Sequence, residues 1–185
     1  MVSLGALWLP ILLSAVLVFV LSSIIHMVLR YHRSDYNPLP NEEAVRAAIR
    51  SGNPAPGQYI FPYAMGAEMA SPEVKQKYIE GPVGVLHLRP AGASGMGSNL
   101  VQWFGFALVV SFFIAYVAGH ALPAGSEYLR VFRIVGAVGF LAYAAGQLPA
   151  AIWMGKPWAV AWKEVFDGLL YGLVTAGTFG WLWPR

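Results

Sequence analysis

The sequence predicts an all-α integral membrane protein: a four-helix bundle of spans with a long loop subdomain between the first and second spans. Three observations carry this reading. Charged residues make up 11% of the chain against 57% hydrophobic, and the mean hydropathy is +0.56, a balance outside the soluble range. Four apolar stretches, about 5–29, 99–121, 131–154 and 165–183, reach the roughly 20 residues a helix needs to cross hydrocarbon. Seven tryptophans, several near the ends of those stretches, fit interfacial aromatic belts. A length of 185 residues suits a single domain, 1–185.

The same composition removes several function classes. Without cysteine there is no disulfide, no thiolate metal site and no cysteine nucleophile. The net charge of +3 is spread along the chain, so the lipid bilayer and not a nucleic acid is the expected partner. No phosphate-binding glycine loop, H-E-x-x-H or G-x-S-x-G pattern occurs. The sequence therefore identifies no cofactor and no catalytic residue.

The first span is uncharged until His26 and then ends in a basic segment, HMVLRYHR. It is too long for a leader and lacks a small-residue cleavage site, so it reads as a retained helix. Ser14, Ser22, His26 and Arg30 recur at multiples of four and share one stripe. A polar stripe on an apolar helix belongs against protein and not lipid. The second span carries Ala107, Ser111, Ala115 and Gly119, and the third Ala142, Gly146 and Ala150. The fourth carries Gly168, Gly172, Ala176 and Gly180. Small residues four apart let helix backbones approach closely. Lys163, Glu164 and Asp167 crowd the start of the fourth span.

Arg30, Arg33, Arg89, Lys156 and Lys163 fall on one side of the spans, and Arg130, Arg133 and Arg185 on the other. This bias puts the long loop in the cytoplasm and both termini outside it. In the loop, 30–98, Asn41 before EEAVRAAIR and Ser71-Pro72 before EVKQKYIE predict two short capped helices. GPVGVLHLRP reads as a short strand ended by Pro90, and AGASGMGSN as a hinge into the second span. Tyr59, Phe61, Tyr63 and Tyr78 are expected to pack the loop against the bundle or the membrane surface.

IIHMVLRYHRSDY, GQYIFPYA, KYIEGPVGVLHLRP, YLRVFRIVGAVGFLAY and DGLLYGLVTAGTFGWLWP resemble a family of small, uncharacterised bacterial membrane proteins. The resemblance covers most of the chain and implies four spans in a bacterial inner membrane. It implies no activity, so it transfers no catalytic residue.

Three functional readings follow from the residues. The leading one is a scaffold or accessory subunit whose small-residue stripes pack with itself, as a homo-oligomer, or within a larger membrane complex. The second is a metal or ligand site, redox-linked or enzymatic, at the cytoplasmic end of the first span. It would use His26, His32, Asp35 and His87, since imidazole and carboxylate are ordinary ligands for borderline ions. Six residues separate the two histidines, which puts them about 120° apart on a straight helix. They converge only if the helix ends near Arg30 and the chain turns. The third reading is a small transporter or channel using Asp167, Gln147 and Tyr171. His120, at the far end of the second span, is across the bilayer from His26 and shares no site with it.

Overall fold

The computed structural model describes residues 1–92 and 95–185. The chain is mostly helical, and three of its helices are long and apolar enough to cross a membrane: Leu4–Val28, Met96–Ala121 and Tyr128–Met154. A 3-10 turn at Leu4–Leu7 leads into α1, Trp8–Ser23, and a π-helical turn follows at Ile24–Val28. The second long helix is α4, Met96–Ala121. The third stretch contains α5, Tyr128–Tyr143, and α6, Leu148–Met154, and a further helix, α7, runs Trp158–Trp181.

The core lies where α1, α4, α5 and α7 meet. Leu7, Val18, Ile25, Ile114, Val131, Val135 and Phe179 are almost wholly buried there. Ser14 and Ser22 do face protein. The Ser14 hydroxyl donates to the Pro10 carbonyl at 2.6 Å and stands 3.0 Å from the Ser111 hydroxyl of α4. Trp103 Nε1 donates to Ser22 Oγ at 2.7 Å. Polar groups in such a seam need partners because lipid supplies none. His26 and Arg30 depart from the stripe and are exposed, because the π turn breaks the four-residue register.

Glycine sets the approach of α7 to α5. The Gly172 backbone faces that of Gly139 and Phe140, where an added Cβ would come within 3.0 Å of Phe140 N. Gly168 fits against Ala144 and Gly180 against the Tyr128 ring. Ala176 is buried and touches the space above Gly136. On α4, Ala107, Ser111, Ala115 and Gly119 are buried, and Gly119 lies under the Val2 carbonyl. These two stripes face other parts of the same chain.

The third stripe forms no seam. Ala142 and Gly146 are exposed, because the expected continuous span over 131–154 breaks into α5, a 3-10 turn at Ala145–Gln147, and α6. Pro149, at the start of α6, has no N–H to donate back one turn, and its ring crowds that carbonyl. Gly155, at φ +71°, then ends α6 in the left-handed conformation. After Pro157 the last helix starts at Trp158, seven residues ahead of the predicted 165. It keeps Lys163, Glu164 and Asp167 inside the helix.

The segment between α1 and α4 holds the two predicted helices and, at GPVGVLHLRP, the predicted strand, with a second strand that the sequence pattern did not place. It holds α2, Glu42–Ser51, and α3, Pro72–Glu80. The Ser71 hydroxyl caps α3 by accepting from Val74 N at 3.2 Å, whereas Asn41 makes no side-chain cap for α2. Two strands, β1 (Gly57–Phe61) and β2 (Gly84–Leu88), pair antiparallel, with Gln58 opposite His87. The aromatic residues of this segment make contacts within it, and Tyr59 also lines a cavity with Met154 of α6. Tyr59 donates to the Ala55 carbonyl, Tyr78 to that of Pro62, and Phe61 covers Gly84. Of the predicted hinge, 91–99, Ala93 and Ser94 lie outside the described residues, and α4 is already helical from Met96.

Candidate metal centre

α7 supplies the anchor of the site. Asp167 is 3% exposed, and a carboxylate buried among apolar helices requires partners. The chain leaving α1 brings them. In the π turn Leu29 N bonds back five residues to Ile24 O, and Leu29 itself is extended, which ends the helix. A 3-10 turn at Tyr31–Ser34 then folds the chain onto α7.

That turn meets Asp167 with two side chains. Tyr31 donates its hydroxyl to Oδ1, and His32 Nε2 lies 2.8 Å from Oδ2. The other ring nitrogen of His32, Nδ1, is 2.5 Å from Asp35 Oδ2. Lys163 Nζ locks the turn by donating to the Tyr31 carbonyl (2.7 Å), Ser34 Oγ (2.8 Å) and Asp35 Oδ1 (2.6 Å). Glu164, one turn before Gly168, pairs with Lys156. Burial opposes ionisation of Asp35, but the hydrogen bonds from Lys163 and His32 outweigh it and hold the carboxyl below its ordinary range. Burial first, and the bond to Asp167 second, push the Tyr31 phenol up, so it remains a donor.

His26 completes the group. Its ring centroid is 4.5 Å from that of His32, and its Nε2 is 4.0 Å from Asp167 Oδ2. One ligand atom each from His26, His32 and Asp167 lies within 4.8 Å of the other two. Ligands on a tetrahedral zinc ion at 2.0–2.1 Å stand about 3.3 Å apart. His26 and Asp167 therefore need to close slightly and His32 and Asp167 to part slightly. A metal ion held here would take the place of an Nε2 proton on His32. Asp35 keeps the Nδ1 proton, the usual outer carboxylate behind a metal-bound imidazole.

Beside the centre is a pocket of about 220 Å³ lined by His26, Trp103, Phe106, Tyr143, Gln147 and Tyr171, among others. The Tyr143 and Tyr171 hydroxyls are buried and have no hydrogen-bond partner among the described residues. Tyr143 lies near the Ser111 and Thr175 hydroxyls, both of which still have acceptor capacity. On the other side of His26 an apolar groove of about 480 Å³ runs past Met27, Met96, Leu100 and Trp103.

No protein-family model, curated protein or solved structure matches this chain. The arrangement must therefore be read from its own geometry. Of the four ligands read from the sequence, His26, His32 and Asp35 come together here. His87 stands exposed on β2 and is not in the converging group. Asp167, Gln147 and Tyr171, which the sequence pattern grouped as a transport path, line the pocket next to the same centre. His120 donates Nδ1–H to the Tyr116 carbonyl at 2.7 Å in the last turn of α4. Sequence reasoning missed Tyr31 and the reach of Lys163 to Asp35. The available signal was the density of polar side chains in RYHRSD directly after an apolar helix.

Proposed function

We propose that this chain is a multi-pass membrane metalloprotein that holds a borderline divalent cation through His26, His32 and Asp167. The observation that carries this reading is the convergence of two imidazoles on one buried carboxylate, with Asp35 behind His32. Three protein ligands would leave a fourth position open, as in catalytic zinc sites, and His26 and Asp167 both line the adjacent pocket. α7, at 24 residues, has the length of a fourth span, and its charges gather at the end where Lys156 and Lys163 pair with Glu164 and Asp35. The Lys/Arg bias favours this centre on the cytoplasmic face and both termini outside, and the family resemblance implies a bacterial inner membrane. The test is titration of metal-stripped full-length protein in detergent with Zn²⁺. One equivalent should bind, and His32→Ala and Asp167→Asn should each lose it. Absence of stoichiometric binding by the unaltered protein refutes the reading.

A second reading, a scaffold or accessory subunit packing with itself or a partner, has one observation in its favour. Asp35 is met by Lys163 and His32, and Asp167 by Tyr31 and His32, without an ion, so the cluster also serves as a clasp tying the 31–35 turn to α7. Under that reading His26, which takes no hydrogen bond in the clasp, is replaceable by alanine without loss of assembly.

A further inference from the structure

We propose that the open coordination position of the metal centre binds the carboxylate of a single-chain fatty acid, which enters from the lipid between α4 and α5. This inference rests on the metal reading and names the ligand that the ion would take. His26 and Asp167, two of the three protein ligands, line the pocket of about 220 Å³ between α4, α5 and α7. Charge decides what the fourth ligand is. Asp35 is matched by Lys163 and Glu164 by Lys156, and histidine binds a metal as the neutral ring. A divalent ion on Asp167 therefore leaves one positive charge uncompensated. Asp167 is almost wholly buried, and an unpaired charge in such a place is costly. A monoanionic oxygen donor on the ion cancels it, and carboxylate oxygen is an ordinary ligand for zinc.

The walls of the pocket favour an anion carried on a chain. Trp103 and Phe106 of α4 make one wall apolar. Phe106 and Ala142 of α5 line the cavity and are also exposed on the outer surface of the bundle. The way in is thus from the side, through the surface that faces lipid. Whole drug-sized ligands fill about 300–1,000 Å³, so a cavity of about 220 Å³ takes a compact head and leaves the chain outside. A carboxylate ending one chain is such a head, whereas a phosphodiester brings a glycerol and a second chain with it. Gln147, at the break between α5 and α6, lines the cavity as well, and its amide makes no hydrogen bond among the described residues. That amide can donate to the carboxylate oxygen that does not reach the ion.

The full-length protein in phosphatidylcholine nanodiscs is loaded with Co²⁺, a spectroscopic stand-in for Zn²⁺, and titrated with palmitate. Palmitate should change the visible Co²⁺ absorption with a one-to-one end point. Hexadecanol, which has the chain without the charge, should not, and neither should acetate at the same concentration, which has the charge without the chain. Nanodiscs containing phosphatidylglycerol should leave the spectrum as it is. Bound tritiated palmitate should be released when EDTA strips the metal. Gln147→Leu removes a hydrogen bond to a charged group and should weaken palmitate binding about ten-fold. Ala142→Trp closes the lateral opening and should abolish palmitate binding. Both variants should keep full Co²⁺ loading, because neither residue is a ligand. A Co²⁺ spectrum indifferent to palmitate, or an equal response to hexadecanol, acetate or phosphatidylglycerol, overturns the proposal and leaves the metal reading standing. Palmitate retained in EDTA, or unchanged affinity in either variant, overturns it equally. Failure of the unaltered protein to load Co²⁺ or Zn²⁺ refutes the centre, and this inference with it.

Discussion

Replacing Gly168 with alanine places a methyl carbon 2.7 Å from both the N and Cα of Ala144 and 2.8 Å from its Cβ. All three atoms are fixed by the backbone of the α5 C-terminus, so no side chain can swing aside. The helix itself favours alanine by about 1 kcal/mol, while forcing an extra methyl into a closed contact costs about 1–3 kcal/mol. With backbone on the opposing side, the cost falls at the upper end, for a net loss of about 1–2 kcal/mol. Gly105 in α4 is the control, because an added Cβ there meets nothing within 4 Å. Gly105→Ala should gain up to about 1 kcal/mol from propensity alone. Reversible unfolding in bicelles should separate the two variants by roughly 2 kcal/mol or more. Equal stability of the two would refute the close α5–α7 contact as drawn. Because Gly168 adjoins Asp167, the same variant should also weaken Zn²⁺ binding, read by titration, whereas Gly105→Ala should not.

Other consequences are as direct. Asp35→Asn should lower Zn²⁺ affinity about 10- to 100-fold, the usual effect of losing an outer carboxylate, with both histidines still in place; unchanged affinity in a metal titration would detach Asp35 from the centre. Lys163→Met removes the donor that ties Tyr31, Ser34 and Asp35 to α7, and protease cleavage within 30–36 should accelerate while the rest of the chain stays resistant. Trp103→Phe leaves Ser22 without its donor and should cost about 1 kcal/mol in the same unfolding assay. Zinc at about 100 times its dissociation constant should stabilise the protein by about 2.7 kcal/mol, visible as a raised thermal midpoint that EDTA reverses; a midpoint indifferent to zinc argues against a folded-state ion.

Apolar length was the most legible feature of the sequence. It placed the first two long helices within a few residues, because hydrocarbon thickness alone demands such runs. The third and fourth stretches show where hydropathy stops. Pro149 splits a run that reads as continuous, and α7 starts ahead of the charged residues and carries Lys163 and Glu164 inside it because both find partners outside the helix. The strands β1 and β2 are five residues each and meet across more than twenty intervening residues, so neither carries a local signal of its partner. At the centre the residue types were legible and their meeting was not. Helical phase separates His26 from His32 by about 120°, and only the π turn with the 3-10 turn after it brings them to the same carboxylate.

The π-helical turn at Ile24–Val28 has a consequence for how such a centre can be gained or lost. One extra residue in the turn advances everything beyond it by about 100° relative to an unbroken α-helix. The centre thus depends on a count as much as on chemistry. Removing a single residue between Ile24 and Val28 while keeping every histidine and carboxylate would let α1 run on in phase and swing the 31–35 turn off Asp167. Substitution scans leave that count untouched, so a one-residue deletion is the change that would disperse the cluster and leave the bundle standing.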